Sequence, residues 1–171
     1  MYGKMLIAYF SASPSRRTEQ VAHKIVDVIG GDLHEIVPAV PYTEDDLNWN
    51  DSKSRSSVEM RDPKSRPAIA GEPLDLAPYQ VIFVGFPIWW YVAPHIINTF
   101  LESYDFTGKT IIPFCTGSGN ALSGMEEDIP RFAKGAQIRK GFGIQGKLVH
   151  NSPEQAKIHV ANWLASLGYT N

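Results

Sequence analysis

Met5 to Phe10 (MLIAYF) and Val81 to Pro87 (VIFVGFP) are short apolar runs in which polar residues do not alternate with apolar ones. A strand with one wet face alternates; a strand covered on both faces does not, and double covering is the property of parallel sheets with helices above and below. These two runs restrict the chain to α/β architectures. Further strands are predicted at Leu33 to Val37, at Lys109 to Cys115 and, with glycines inside it, at Ile138 to Ile144. Helical spacing fills the intervals. Val21, Ala22, Ile25, Val26 and Ile29 form one apolar stripe, which Gly30 and Gly31 stop, and Pro94 suits the first turn of a helix carrying Ile96, Ile97, Phe100, Leu101 and Tyr104. Ser123 and Glu126 have capping-box spacing ahead of Ile129 and Phe132, with Pro130 limiting that helix, and Ser152-Pro153 opens a terminal helix through Ile158, Val160, Leu164 and Leu167. The expectation is a doubly wound, five-stranded parallel sheet with helices on both faces, joined by right-handed crossovers.

At 171 residues the chain is expected to be a single domain spanning residues 1–171. A hydrophobic fraction of 43% with 20% charged residues excludes a disordered chain, and a net charge of -2 supplies no field for nucleic acid. The longest apolar stretch, Val81 to Pro94, is interrupted by Gly85 and Pro87 and is too short for a membrane span. The N-terminal residues enter a strand at once, and the single Cys115 has no disulfide partner, so a cytoplasmic protein is expected. His23, His34, His95, His150 and His159 show no metal-ligand spacing. Charge is uneven, with eight acids and five bases from Tyr42 to Asp75 but six bases and one acid from Arg131 onward. Solvated surface is the default reading of both runs.

One segment breaks the alternation. Pro38 to Gln80 is longer than an ordinary connection and should contain structure of its own: a helix start at Thr43-Glu44-Asp45-Asp46 and a second short helix over Ser52 to Arg61.

In a doubly wound sheet, ligands bind outside the carboxyl ends of the strands, where strand order reverses. The loops following Phe10, Phe86 and Phe114 are therefore the candidate site. The first supplies the hydroxyls of Ser11, Ser13, Ser15 and Thr18 and the guanidinium groups of Arg16 and Arg17 at a helix N-terminus, a combination suited to a phosphate monoester. It contains neither a dinucleotide fingerprint nor a P-loop. The second places Trp89, Trp90 and Tyr91 in succession after Pro87 and Ile88. Three consecutive aromatics cannot all reach the core, so one or more is expected to meet a ligand or partner. The third, Thr116, Gly117, Ser118, Gly119 and Asn120, lets backbone approach a flat polar ring closely.

The blocks AYFSAS, DLNWND, SRSSVEM, RPAI, FPIWW and NTFLESYDFTGKTIIPF, with the Gly/Ser-rich loop after them, resemble the bacterial flavodoxin-like proteins with a P-I-W-W signature. The resemblance implies a flavodoxin-like fold and one non-covalent FMN. Its phosphate would lie on Ser11, Ser13 and Thr18, and its isoalloxazine between Pro87, Ile88, Trp89 and Trp90 on one side and Thr116 to Asn120 on the other. It also makes the long central segment a family feature. Two departures stand out: Pro14, Ser15, Arg16 and Arg17 lengthen the first loop and replace the glycine usual there, and the third loop lacks the tyrosine that many carriers stack on the outer flavin face. The expectations are that Arg16 or Arg17 contacts the phosphate and that the outer face is open.

Three functions remain: an electron-transfer flavodoxin, an FMN-dependent NAD(P)H oxidoreductase acting on quinones or similar acceptors, and a non-redox binding module that has lost FMN. The expected partners are a redox protein or a small electron acceptor, with the chain a monomer or homodimer and no role for nucleic acid or membrane.

Overall fold

The computed structural model describes residues 4–117 and 125–169. Strand β1 (Lys4–Tyr9) lies between β2 (Asp32–Glu35) and β3 (Tyr79–Pro87), β4 (Thr110–Gly117) adds to the far side of β3, and β5 (Gln137–Ile138) and β6 (Phe142–Gln145) share the outer edge of β4. Every one of these pairings is parallel. The order β2-β1-β3-β4-β5 is that of the flavodoxin-like fold, with its switch point between β1 and β3.

The unbroken apolar runs are explained by the two layers they serve. Leu6, Ala8, Ile82, Val84 and Phe86 pack into one core with α3 (His95–Glu102) and α4 (Met125–Phe132). Their neighbours Met5, Ile7, Tyr9, Val81 and Phe83 pack into the other, with α1 (Arg17–Ile29), the short α5 (Gly146–Asn151) and α6 (Pro153–Ser166). Successive side chains of a strand point to opposite faces, so a run buried at every position is one that two helical layers share.

The structure corrects the sequence reading in several places. The predicted fifth strand is two, giving six strands among the described residues, because the pairing breaks at Arg139 to Gly141. There the Arg139 Nη2 donates to the Leu167 carbonyl at 2.9 Å, and Gly141 offers no side chain to hold a pleat. Helix α5 has no signal in the sequence pattern, since six residues are too few to show a period. Pro94 precedes α3 as its cap residue, and the Ser152 hydroxyl makes no capping bond at α6, where Pro153 fits the first position through its fixed φ. The Ser123 end of the predicted capping box lies outside the described residues.

The long segment is an excursion closed at its neck. The Ala39 N–H donates to the Ala68 carbonyl and the Ala70 N–H to the Val37 carbonyl, forming an antiparallel rung around Pro38 and Ile69. No helix forms at Thr43. The Thr43 N–H donates to Asp46 Oδ2 and the Asp46 N–H to Thr43 Oγ1, closing one turn, after which Asn48 captures the Asn50 N–H in an Asx turn. Helix α2 (Arg55–Arg61) starts later than expected, with the Ser54 hydroxyl accepting the Ser57 N–H.

Gly85 sits in register with Phe114, whose ring lies across it: a Cβ there would fall 2.1 Å from Phe114 Cζ. Gly85→Ala is expected to cost about 2–3 kcal/mol in chemical denaturation, and Phe114→Leu in the same chain to recover much of it.

Candidate functional site

The three loops at the carboxyl ends of β1, β3 and β4 are joined through one buried residue. Thr116 Oγ1 lies 2.9 Å from Thr18 Oγ1 in the first loop, and the Thr116 carbonyl accepts the Ile88 N–H of the second at 2.9 Å.

In the first loop, a turn from Ser13 to Arg16 leads into α1. The buried Ser11 hydroxyl accepts the Glu19 N–H at 3.2 Å, so this hydroxyl and that of Thr18 already have partners within the protein. Ser13 and Ser15 are half-buried with their hydroxyls 3.3 Å apart. The amides of Arg17 and Thr18, at the first positions of the helix, have no acceptor among the described residues.

The two arginines separate. Arg16 takes a left-handed backbone, φ 52°, and its guanidinium is enclosed by Glu19 and Glu35 while Nη1 donates to the Ser11 carbonyl at 2.6 Å. Its charge is matched within the protein. Arg17 runs instead along Gly146, where a Cβ would come within 2.8 Å of its Cδ, and its buried Nε has no hydrogen-bond partner among the described residues. A buried guanidinium N–H without an acceptor is costly, and beside two free helix amides it fits an anion held at the start of α1.

In the second loop, Trp89 and Val92 exchange N–H to carbonyl bonds at 2.9 and 3.2 Å around Trp90, φ 49°, and Tyr91, φ 70°. Positive φ at both central positions defines a type I′ turn, whose preferred residues are Asn and Gly. Two aromatics held there are strained, and the strain displays them: Trp90 is 44% and Tyr91 87% exposed. Trp89 turns inward, edge-on to Phe10 and to Tyr42 at ring-centroid distances of 5.7 and 5.5 Å. Pro87 and Ile88 are half-buried beside it. Of the third loop, Thr116 and Gly117 are in place at the end of β4, while Ser118, Gly119 and Asn120 lie outside the described residues.

Tyr42 is the residue that sequence reasoning missed. Its hydroxyl donates to Glu59 Oε1 at 2.6 Å, and the Arg55 guanidinium, bonded to the same carboxylate, lies 3.8 Å over the ring. Burial, followed by the bond to Glu59, pushes its pKa far above the tyrosine range, so it remains a neutral wedge behind Trp89. The available signal is a lone aromatic between Pro41 and the Thr43 turn. Cys115 is inert: burial in β4 pushes its thiol up to about 12.

A doubly wound parallel sheet in the order β2-β1-β3-β4-β5, with helices on both faces, defines a flavodoxin-like α/β protein. The chain belongs to the flavodoxin family, which it matches over residues 4–167. Two solved structures of candidate flavoproteins resemble it over nearly their whole length. One, from Bacteroides uniformis ATCC 8492, is 44% identical with a TM-score of 0.83, over 96% of this chain and 99% of that one. Another, from Bacteroides eggerthii DSM 20697, is 38% identical with a TM-score of 0.81, over 97% and 98%. A flavoprotein from Lactobacillus acidophilus NCFM, solved in complex with FMN, shares the fold at 20% identity and a TM-score of 0.65, over 87% and 97%. No curated protein matches the chain. Among the described residues, no helix is long and apolar enough to cross a membrane.

Relieving the turn should show its strain directly. Tyr91→Gly is expected to raise unfolding stability by about 1 kcal/mol in urea, whereas Tyr91→Ala, which keeps a Cβ at positive φ, is expected to raise it little.

Proposed function

We propose that this protein binds one FMN at the carboxyl ends of β1, β3 and β4 and works as a cytoplasmic electron carrier of the P-I-W-W branch of its family. The observation that carries the reading is the set of donors at the start of α1 without acceptors among the described residues: the Arg17 and Thr18 amides and the Arg17 Nε. Ser13 and Ser15 complete the phosphate cradle, and Ser11 and Thr18 hold its shape through Glu19 and Thr116. Arg17 is the contacting cation, since Arg16 is committed to Glu19 and Glu35 and works by fixing the loop. Pro87, Ile88 and Trp90 would line the ring on one side and Thr116 to Asn120 on the other, with Trp89 as the floor against Phe10 and Tyr42.

Bound FMN supplies one- and two-electron redox chemistry at its isoalloxazine. The protein's part is to orient the ring and limit its solvent exposure. The partner of a carrier is another redox protein, and the chain works as a monomer or homodimer. A second reading has its own support: Trp90 and Tyr91 present an open aromatic surface on which a flat acceptor such as a quinone could stack, as an FMN-dependent NAD(P)H oxidoreductase requires.

The ligand released by acid is expected to have the mass of FMN. Arg17→Ala is expected to weaken FMN binding about tenfold at low salt, the scale of one charge-assisted contact, and Arg16→Ala to weaken it less. Failure to take up flavin from excess FMN would leave the chain a non-redox module, and steady-state NAD(P)H oxidation with a quinone would move the oxidoreductase ahead of the carrier.

A further inference from the structure

Gly146 opens α5 and is buried, yet its backbone does not explain why a glycine stands there. Its φ is not among the positive ones, so no strain excludes a side chain, and inside a helix alanine is the better former. The explanation is a neighbour. A Cβ at this position would lie 2.8 Å from Arg17 Cδ and 3.0 Å from Arg17 Nη1, so the arginine could not stay where it is.

This notch opens at the rim of the candidate site. Strand β6 pairs with β4 in parallel, Gly117 in register with Gln145, and the chain therefore enters α5 at the end of the sheet from which the third loop leaves. Arg17 reaches the notch from the first position of α1. With its stem laid there, it keeps a buried Nε–H that has no acceptor among the described residues. Two costs thus fall on one side chain: a buried donor without a partner, and a cation at the positive end of a helix. An arginine that only covered apolar surface would keep its head in water, whereas here a nitrogen of the head is buried. A phosphate at the start of α1 removes both costs at once.

We infer that Gly146 is a positioning residue for phosphate: its missing side chain seats the Arg17 guanidinium at the start of α1, and so sets a preference for a phosphate-bearing flavin over riboflavin. For its ligand this rests on the FMN reading, to which it adds the β6–α5 junction as a fourth wall beside the three loops. Alanine at 146 turns Arg17 out of the notch. Because what has to move is a flexible side chain, the fold survives the change.

Two measurements test it. In the first, the ¹⁵N-labelled full chain without flavin is titrated with inorganic phosphate while the Arg17 Nε–H signal is followed. The signal is expected to shift saturably in the wild type and to stay in place in Gly146→Ala. A chain that shows this shift but takes up no FMN loses the FMN reading and keeps the seating of Arg17. In the second, FMN and riboflavin affinities are compared for the wild type, Gly146→Ala, Arg17→Ala and the double variant. Gly146→Ala is expected to weaken FMN about tenfold, to leave riboflavin unchanged and to flatten the salt dependence of FMN binding. Added to Arg17→Ala, it is expected to cost nothing more. The inference is overturned if phosphate leaves the wild-type Nε–H signal unmoved, or if Gly146→Ala lowers FMN and riboflavin affinity alike. It is overturned equally if Gly146→Ala does not fold, or costs as much beside Arg17→Ala as alone, since the glycine would then serve the backbone and not Arg17.

Discussion

The hydrogen bonds of Thr116 set the distance between all three loops of the site. The residue ends a strand buried on both faces, so its backbone cannot shift without disturbing the β3–β4 ladder. Its hydroxyl fixes Thr18, and thereby the first turn of α1; its carbonyl fixes Ile88, and thereby the approach to the aromatic turn. The rigidity of the sheet interior passes to loops that would otherwise have only their own weak preferences. Neither bond is strong by itself. They matter because they are buried, where an unmade bond costs more than a made one returns.

The two arginines of the first loop show how one local sequence produces opposite electrostatic roles. Arg16 occupies a left-handed backbone position that turns its side chain back toward β2, where Glu35 and Glu19 hold it. Arg17, at the next position, starts the helix and points along its side, where only the missing side chain of Gly146 leaves it room. A cation at a helix N-terminus is opposed by the dipole unless an anion joins it. For Arg16 two carboxylates supply that anion from within the chain; for Arg17 the described residues supply none.

Much of this architecture is legible in the amino-acid sequence. The unbroken runs at Met5 and Val81 specify strands covered twice, and the stripe from Val21 to Ile29 specifies the helix that covers one side. Loop chemistry is legible as composition: hydroxyls and arginines before Thr18, aromatics after Pro87. What sequence does not reveal is which groups also bond within the protein. Ser11 and Thr18 read as ligands because hydroxyls near a helix start suit phosphate, and the structure adds that each hydroxyl bonds a partner, 8 and 98 residues away. Tyr42 is hidden for the same reason, since its partners Phe10, Trp89 and Glu59 are distant along the chain. The failed helix at Thr43 has a local cause: side-chain capping that completes one turn satisfies the same groups a longer helix would use.

The excursion from Val37 to Ala70, closed by the rung at its neck, is fastened to the rest of the molecule by side chains: Tyr42 and Ile69 against the core, Ser65 on His95, and Arg66 on Glu102 and over Phe132. None of these is a rung of the parallel sheet. Such a piece can detach as a cooperative unit at a free energy well below that of global unfolding. Detachment would uncover the inner face of Trp89 and one side of Phe10 together. A local unfolding of the excursion is thus the motion that would open the inner side of the rim while leaving the parallel sheet intact.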